Sequence, residues 1–119
     1  MCVQVEQTAE RVALNQSTFR DANERIEQAA EELVAELPAV PFICECPDRA
    51  CTQIVRLGLI EYEMARSRSE WFFVASGHEV CVVDGETVAK VKQEYGGRFT
   101  IMEKLGDAGA AARELDPRS

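Results

Sequence analysis

Residues 44–51 read Cys-Glu-Cys-Pro-Asp-Arg-Ala-Cys, and this stretch decides how the chain is expected to fold. Three thiols lie within it in a Cys-x-Cys-x4-Cys spacing. Thiolates are soft ligands, and Zn²⁺ holds four ligands tetrahedrally, with sulfur at about 2.3 Å. A proline-stiffened loop can turn three sulfurs toward one ion, because it does not follow the fixed side-chain directions of a helix or a strand. The spacing therefore predicts a metal-binding loop that provides three of the four ligands.

The fourth ligand has to come from another part of the chain, and His78 is the only histidine. It follows Ser76-Gly77 directly after an apolar run, so we expect a bend to present its ring. The predicted zinc ligands are Cys44, Cys46, Cys51 and His78. A Cys3His set leaves no open position for water or substrate, which is typical of the structural ions of zinc fingers.

Cys81 is the alternative fourth ligand. It lies three residues after His78, and in an extended strand the two side chains face opposite sides, so only one of them is expected to reach the ion. With Cys81 the set would be four thiolates, which also suits an iron–sulfur cluster. Zinc is the prediction, but the ligand types alone do not separate zinc from iron.

The same cysteines could act as a thiol switch in which two of them form a disulfide. A reactive thiolate needs a nearby cation or helix N-terminus to lower its pKa. Arg49 would serve, but Glu45 and Asp48 oppose it. A redox or metal-responsive switch is therefore the second interpretation.

The composition restricts the classes of function. The chain has 119 residues, a length that suits one domain. Its 13 Lys and Arg against 21 Asp and Glu give a formal charge of −8, which disfavours binding to nucleic acid or to an anionic membrane. No apolar run reaches the ~18 residues that cross a bilayer.

The cysteine count and the N-terminus predict the compartment. Five cysteines cannot all pair with one another, and residues 1–10 lack the basic and apolar segments of a secretion signal. We therefore expect a cytoplasmic protein, in which thiols stay reduced and clustered cysteines favour metal binding.

Residues 1–37 are predicted to form an amphipathic helical segment, with a helix over 5–37. Apolar residues recur every seven positions at Val5, Val12, Phe19, Ile26 and Leu33. The acidic residues expected on the opposite face are Glu10, Glu24, Glu27, Glu31 and Glu32. Pro38 ends the helix. The helix either packs its apolar stripe on its own sheet or binds a protein partner, which includes self-association.

Residues 38–119 are predicted to form a metal-stabilised α+β domain, and the chain is one structural domain overall. We expect a long N-terminal helix, the metal-binding loop, a small antiparallel sheet and one or two further helices. Residues 38–47 contain three prolines and are expected to be an irregular connector. The expected helices cover 59–68 and 108–115, and the expected strands cover 53–57, 71–75, 79–83, 87–95 and 98–104. The apolar run 71–75 suits a central strand, and the end after residue 115 is expected to fray.

Four short motifs along the chain form a recognisable combination. They are Phe42-Ile43-Cys44-Glu45-Cys46 through Cys51, Glu61-Tyr62-Glu63, Gly77-His78-Glu79, and Glu114-Leu115-Asp116-Pro117-Arg118. On these motifs the chain resembles a group of short actinobacterial proteins over most of its length. The resemblance implies that the three loop cysteines and His78 act together, and it implies no substrate, activity or partner.

These patterns indicate a small cytosolic protein in which a structural zinc ion supports a role in protein interaction or regulation. The expected partner is a protein, or a second copy of the chain bound through the N-terminal helix. A lone histidine forms no catalytic triad, so an enzyme is the less favoured class.

Overall fold

The computed structural model describes residues 3–5, 9–33, 39–48, 50–83 and 85–118, which form three helices and eight strands. The helices are α1 (Ala9–Leu33), α2 (Leu59–Ala65) and α3 (Gly106–Glu114). The strands are β1 (Val3–Val5), β2 (Val40–Ile43), β3 (Ile54–Leu57), β4 (Trp71–Ala75), β5 (Val80–Val83), β6 (Glu86–Thr87), β7 (Ala89–Tyr95) and β8 (Phe99–Lys104). The α+β class with a long N-terminal helix is confirmed. None of the described helices is long and apolar enough to cross a bilayer.

The described strands form three small sheets. Their orders are β1-β5-β6, β2-β3 and β4-β8-β7. Every pair is antiparallel except β1 with β5, which is parallel. The expected antiparallel pairing therefore holds for two sheets, and the third is mixed.

The helix α1 begins later than predicted. Residues 3–5 form β1 beside β5, so the predicted helix over 5–37 is wrong at its N-terminal end. Two β-branched valines that alternate with Gln4 favour a strand over a helix. The predicted C-terminal end falls on residues 34–38, which lie outside the described residues.

The inward face of α1 is polar, against the prediction of a buried apolar stripe. Among the side chains of this helix that the structure describes, the buried ones are Asn15, Gln16, Arg20, Asn23, Glu27 and Ala30. Phe19 and Ile26 from the predicted stripe are only half-buried. Glu27 was expected to face solvent and is buried instead. The helix packs against β2 and neighbouring backbone whose polar groups need hydrogen-bond partners, which an apolar face cannot supply.

The predicted irregular connector contains a strand. Val40–Ile43 pairs antiparallel with Ile54–Leu57, with Phe42 opposite Val55. Val40 and Phe42 are buried while Pro41 between them is exposed, which is the alternation of a half-buried strand. A proline is tolerated here because each strand of a two-stranded sheet has a free edge. The resulting hairpin holds the two ends of the cysteine loop side by side.

The strand β4 is an edge strand of its sheet, whereas a central position was expected. Phe72, Phe73 and Val74 are nevertheless all buried. The extended residues 44–46 cover the outer edge of β4, and the Glu45 N–H donates to the Phe73 carbonyl at 3.0 Å. The cysteine loop thus completes this side of the sheet.

The hairpin between β7 and β8 is confirmed at the predicted glycine pair. Gly96 and Gly97 have φ values of 55° and 78°. Two successive residues with positive φ form the tight turn that matches the twist of the flanking strands, and glycine adopts this backbone without strain.

Three aromatic rings join β2, α2 and β4 in the core. The rings of Phe42 and Tyr62 stack with centroids 4.2 Å apart, and Phe73 packs edge-on against them at 6.1 and 5.9 Å. All three side chains are buried. The cluster therefore fixes the position of β2, the strand that residues 44–46 follow. The helix α2 ends at Ala65, three residues before its predicted end.

The C-terminal tail is anchored, although it was expected to fray. The Asp116 carboxylate accepts from the Arg66 guanidinium at 2.6 Å. The Arg118 guanidinium donates to the carboxylates of Glu24, Glu27 and Glu63. The last described residues therefore connect α1 with α2.

Candidate metal centre

The four predicted ligands lie on two chain segments that the fold brings together. Cys44 and Cys46 follow β2, and Cys51 precedes β3, so all three thiols belong to the connection of one hairpin. His78 lies in the connection from β4 to β5. Because residues 44–46 run along the edge of β4, the hairpin connection reaches the end of that strand. His78 lies there as well, since it closes the turn that follows Ala75.

The ligand atoms of Cys44, Cys46, Cys51 and His78 all lie within 4.8 Å of one another. The Nδ1 atom of His78 is 3.7 Å from the sulfur of Cys44 and 3.5 Å from the sulfur of Cys51. For a tetrahedral zinc ion with Zn–S of about 2.3 Å and Zn–N of about 2.0 Å, neighbouring sulfur and nitrogen ligands are about 3.5 Å apart. These four residues are therefore spaced to hold one metal ion.

Backbone hydrogen bonds fix the loop between the thiols. The Cys44 N–H donates to the Gln53 carbonyl at 3.1 Å, and the Cys51 N–H donates to the Asp48 carbonyl at 3.0 Å. The Asp48 carboxylate accepts a further bond of 2.9 Å from the Ala50 N–H. A backbone bond also closes the turn after β4, where the His78 N–H donates to the Ala75 carbonyl at 2.9 Å.

The three thiols lie close enough to change one another's pKa values. The Cys44 thiol donates to Cys46 and lowers the pKa of Cys46 to about 5, with further hydrogen bonds from His78 and the Asp48 backbone outweighing burial. The same contact with Cys46, together with burial, raises the pKa of Cys44. Burial likewise raises the pKa of Cys51. A metal ion binds thiolates, so its arrival displaces the protons of Cys44 and Cys51.

The Ala75 N–H donates to the Cys44 sulfur at 3.2 Å. Such a bond stabilises a thiolate whose sulfur is also a metal ligand, and it fixes the direction of the sulfur lone pairs. It also ties β4 to the cluster, since Ala75 is the last residue of that strand.

The polar face of α1 holds the segment that carries the first two thiols. The Asn23 side chain donates to the Ile43 carbonyl at 2.8 Å and accepts from the Ile43 N–H at 2.7 Å. It also donates to the Glu45 carboxylate at 3.0 Å. A single buried asparagine therefore satisfies both backbone groups of the residue before Cys44.

Two further amides of α1 continue this pattern along the segment. The Gln16 side chain donates to the Glu45 carbonyl at 3.1 Å, and the Asn15 side chain donates to the Pro47 carbonyl at 3.1 Å. The bonded residues are every second one along the segment, so the intervening Cys44 and Cys46 turn toward the cluster. These three residues were not predicted, although Asn23 lies seven and eight residues after Gln16 and Asn15, a spacing of about two helical turns that places all three on one face.

Glu45 is fully buried between the two cysteines. Its carboxylate accepts from Asn23 and, at 3.4 Å, from the Phe73 N–H. Burial raises the pKa of Glu45, and the positive charge of Arg20 opposes the rise. The sequence interpretation placed this charge beside the thiols, whereas alternation along the extended segment turns it toward α1.

Cys81 does not belong to the cluster. It is buried in β5 and disulfide-bonded, so its sulfur is not available as a thiolate ligand. It is absent from the described group of metal-ligating side chains, in which the fourth member is His78. The interpretations of Cys81 as the fourth ligand and of a four-thiolate iron–sulfur cluster are therefore wrong. Arg49, which the redox interpretation invoked, lies outside the described residues.

No model of a known protein family, no curated protein and no solved structure matches the chain. The resemblance to short actinobacterial proteins stays a prediction, because none of these comparisons bears on it.

Proposed function

We propose that the protein is a zinc-binding module in which a structural Zn²⁺ is held by Cys44, Cys46, Cys51 and His78. The observation that carries the proposal is the spacing of the ligand atoms, with sulfur-to-nitrogen distances of 3.5 and 3.7 Å. Three thiolates and one imidazole are also a ligand set that zinc prefers, and they leave no position for a substrate.

The ion would stabilise a part of the fold that has little apolar support of its own. Asp48, Ala50 and Thr52 in the hairpin connection are exposed. A structural zinc ion contributes on the order of 10–16 kcal/mol of apparent binding free energy, whereas whole domains are stable by about 5–15 kcal/mol. In this proposal the three thiols and His78 connect the β2–β3 hairpin to the end of β4.

The task of the module is binding or regulation, and we place it in the cytoplasm because the three clustered thiols are free, although the disulfide of Cys81 counts against a reducing compartment. A closed ligand set supports interaction over catalysis. The partner is a protein with a basic surface, since the chain carries a charge of −8 and exposed acidic side chains such as Asp21 and Glu31 on α1. Because the described side chains of α1 turn a polar face inward and include one large exposed apolar residue, Leu14, a separate partner is favoured over self-association through this helix.

Elemental analysis of the purified chain tests the metal. We expect one zinc ion per chain, loss of the ion in Cys46→Ser, and weakened retention in His78→Ala during dialysis against a chelator. Ser76→Ala, an exposed change in the same turn as His78, is the matched control and should keep full zinc content. A chain that carries no zinc, and that folds equally well in chelator, contradicts the proposal. Full zinc retention in His78→Ala removes His78 from the ligand set.

A thiol switch is the second candidate, because Cys51 and His78 are half-buried and a small oxidant can reach them. Two thiolates would give up two electrons to form one disulfide, a peroxide would be reduced to water, and the ion would leave. This function predicts zinc release with the loss of two free thiols at low peroxide, reversed by a dithiol reductant. Zinc that stays bound until the peroxide is in large excess supports the purely structural role.

A further inference from the structure

A pocket separate from the metal centre lies between α1, β4, β8 and α3. The pocket is a narrow cleft, and its empty space amounts to about 420 Å³ only when the part open to solvent is counted. Phe72, Val83 and Ala112 are among its apolar lining residues, and its polar lining includes Gln16, Arg20 and Lys104. A mainly apolar concavity with a few convergent polar groups is the usual form of a small-molecule site.

Lys104 is buried in this pocket without a counter-charge. Only 6% of the residue is exposed, and its ammonium group has no carboxylate or carbonyl partner among the described residues, although Nζ is not one of the fully buried atoms without a partner. Its Nζ lies over the Phe72 ring, 5.4 Å from the ring centroid. Buried lysines are almost always paired, so an unpaired one calls for a physical reason.

Arg20 adds a second cation with an unused donor. It is 1% exposed, and its guanidinium lies over the same Phe72 ring at 3.7 Å. Its two terminal nitrogens donate to the carbonyls of Ser69 and Trp71. Its Nε–H has no hydrogen-bond partner, although it is fully buried.

Gln16 completes the set of unsatisfied groups. Its Nε2 is used at the metal-bearing segment, where it donates to the Glu45 carbonyl, but its buried Oε1 has no partner. The described pocket lining therefore includes two cations and one open acceptor, and it contains no acidic side chain.

The positive charges of Arg20 and Lys104 lie close enough to interact. Burial first and the charge of Arg20 second lower the pKa of Lys104 to about 7. Burial also lowers the pKa of Arg20, against the attraction of Glu45. An anion in the pocket would relieve both effects, since it would supply the missing counter-charge in a region that water reaches poorly.

We propose that this pocket binds a small organic carboxylate, with its carboxylate on Lys104 and the Arg20 Nε–H and its apolar chain against Phe72, Val83 and Ala112. Both donors belong to residues that line the pocket, and two donors match the two oxygens of a planar carboxylate. The apolar walls favour a ligand with a hydrocarbon part over inorganic phosphate. The pocket is narrow, which favours an unbranched chain over a bulky one.

The test uses the metal-loaded full chain and a series of unbranched acids from butanoate to octanoate, with 1-hexanol as the neutral probe and hexyl phosphate as the anion of different shape. Chemical-shift changes in two-dimensional amide spectra report both the site and the affinity. We expect saturable shifts around α3 and β8 with the acids, affinity that rises with chain length, and weaker binding of hexanol and of hexyl phosphate.

Two variants separate the charge from the cavity. Lys104→Met should weaken hexanoate binding about tenfold and leave hexanol binding unchanged, because it removes a charge-assisted hydrogen bond and keeps an apolar side chain. Ala112→Leu should weaken both ligands by filling the pocket. Both variants can be checked for folding through their zinc content, which does not depend on this site. Hexanol that binds as tightly as hexanoate, an unchanged hexanoate affinity in Lys104→Met, or no saturable binding of any acid would overturn the proposal.

Discussion

The helix α1 packs over two regions that differ in the hydrogen bonding of their buried polar groups. At the segment that carries Cys44 and Cys46, Asn23 and Glu45 are fully buried and hydrogen-bonded on every side. At the pocket, Arg20 keeps an unused Nε–H, and Lys104 has no counter-charge among the described residues. Satisfied buried networks fix one backbone arrangement, whereas unsatisfied ones destabilise the fold unless a ligand completes them. We therefore expect the region around Cys44 and Cys46 to contribute stability, and the pocket to bind a ligand.

Removal of the metal from the first region should have the largest effect on the free energy of unfolding. In chelator, or in Cys46→Ser, we expect the free energy of unfolding to fall by at least about 5 kcal/mol, because the ion provides much of the stability of small zinc domains. Thermal unfolding followed by circular dichroism measures the loss, and Ser76→Ala should unfold as the wild type does. A melting temperature that does not respond to chelator would show that the polar contacts of α1 suffice without an ion.

Asn23→Ala tests the satisfied network directly. The change leaves both backbone groups of Ile43 and one oxygen of the Glu45 carboxylate without a partner. Each orphaned buried group costs about 1–3 kcal/mol, so we expect a total loss of roughly 3 kcal/mol and a lower zinc affinity. Denaturant unfolding measures the loss, with the exposed Gln28→Ala on the same helix as control. Equal stability of the two variants would mean that Asn23 does not hold the segment.

Lys104→Met tests the unsatisfied region and should change stability in the opposite direction. Replacing a buried unpaired charge with an apolar side chain of similar length should stabilise the fold at pH 7 by about 1–3 kcal/mol. The pKa of Lys104 is lowered to about 7 in the folded state from 10.5. Below pH 7 both states carry the proton and the cost of the charge is complete. Between about pH 7 and 10.5 only the unfolded state holds the proton, so the wild type gains stability as the pH rises.

The stabilising effect of Lys104→Met should therefore be greatest below pH 7 and should disappear near pH 10.5. Denaturant unfolding of both chains across this range measures the difference, which cancels the titration of all other groups. A gain that grows with pH would contradict the assignment of an unpaired buried ammonium group.

Arg118→Ala should have the smallest effect. The guanidinium joins three carboxylates on α1 and α2, and its side chain is 33% exposed, so solvent screens these ion pairs. We expect a loss of roughly 1 kcal/mol or less, reduced further by salt. Arg25→Ala, an exposed change of the same charge on α1, is the control for net charge. A larger loss that salt does not reduce would place the tail within the cooperative core.

The sequence predicted the parts of this molecule that depend on local chemistry. The Cys-x-Cys-x4-Cys loop and the lone His78 are spaced as one metal set, and the Gly96-Gly97 hairpin is present. It did not predict the burial of Asn23 and Glu45. Polar side chains are expected at the surface, and only the fold shows which buried backbone groups need them as hydrogen-bond partners.

Two other features were not predicted because they depend on tertiary contacts. The strand Val40–Ile43 was missed because prolines outweighed a short period-two alternation, and it forms through pairing with β3. The unpaired state of Lys104 was equally invisible, since nothing in the sequence identifies which charges a fold leaves without partners.

X-ray absorption at the zinc K-edge of the purified chain tests the central claim most directly. The account predicts a first shell of three sulfurs at about 2.3 Å and one nitrogen at about 2.0 Å, with the imidazole signature lost in His78→Ala. A shell of oxygen and nitrogen ligands without sulfur, or four sulfurs, would contradict it.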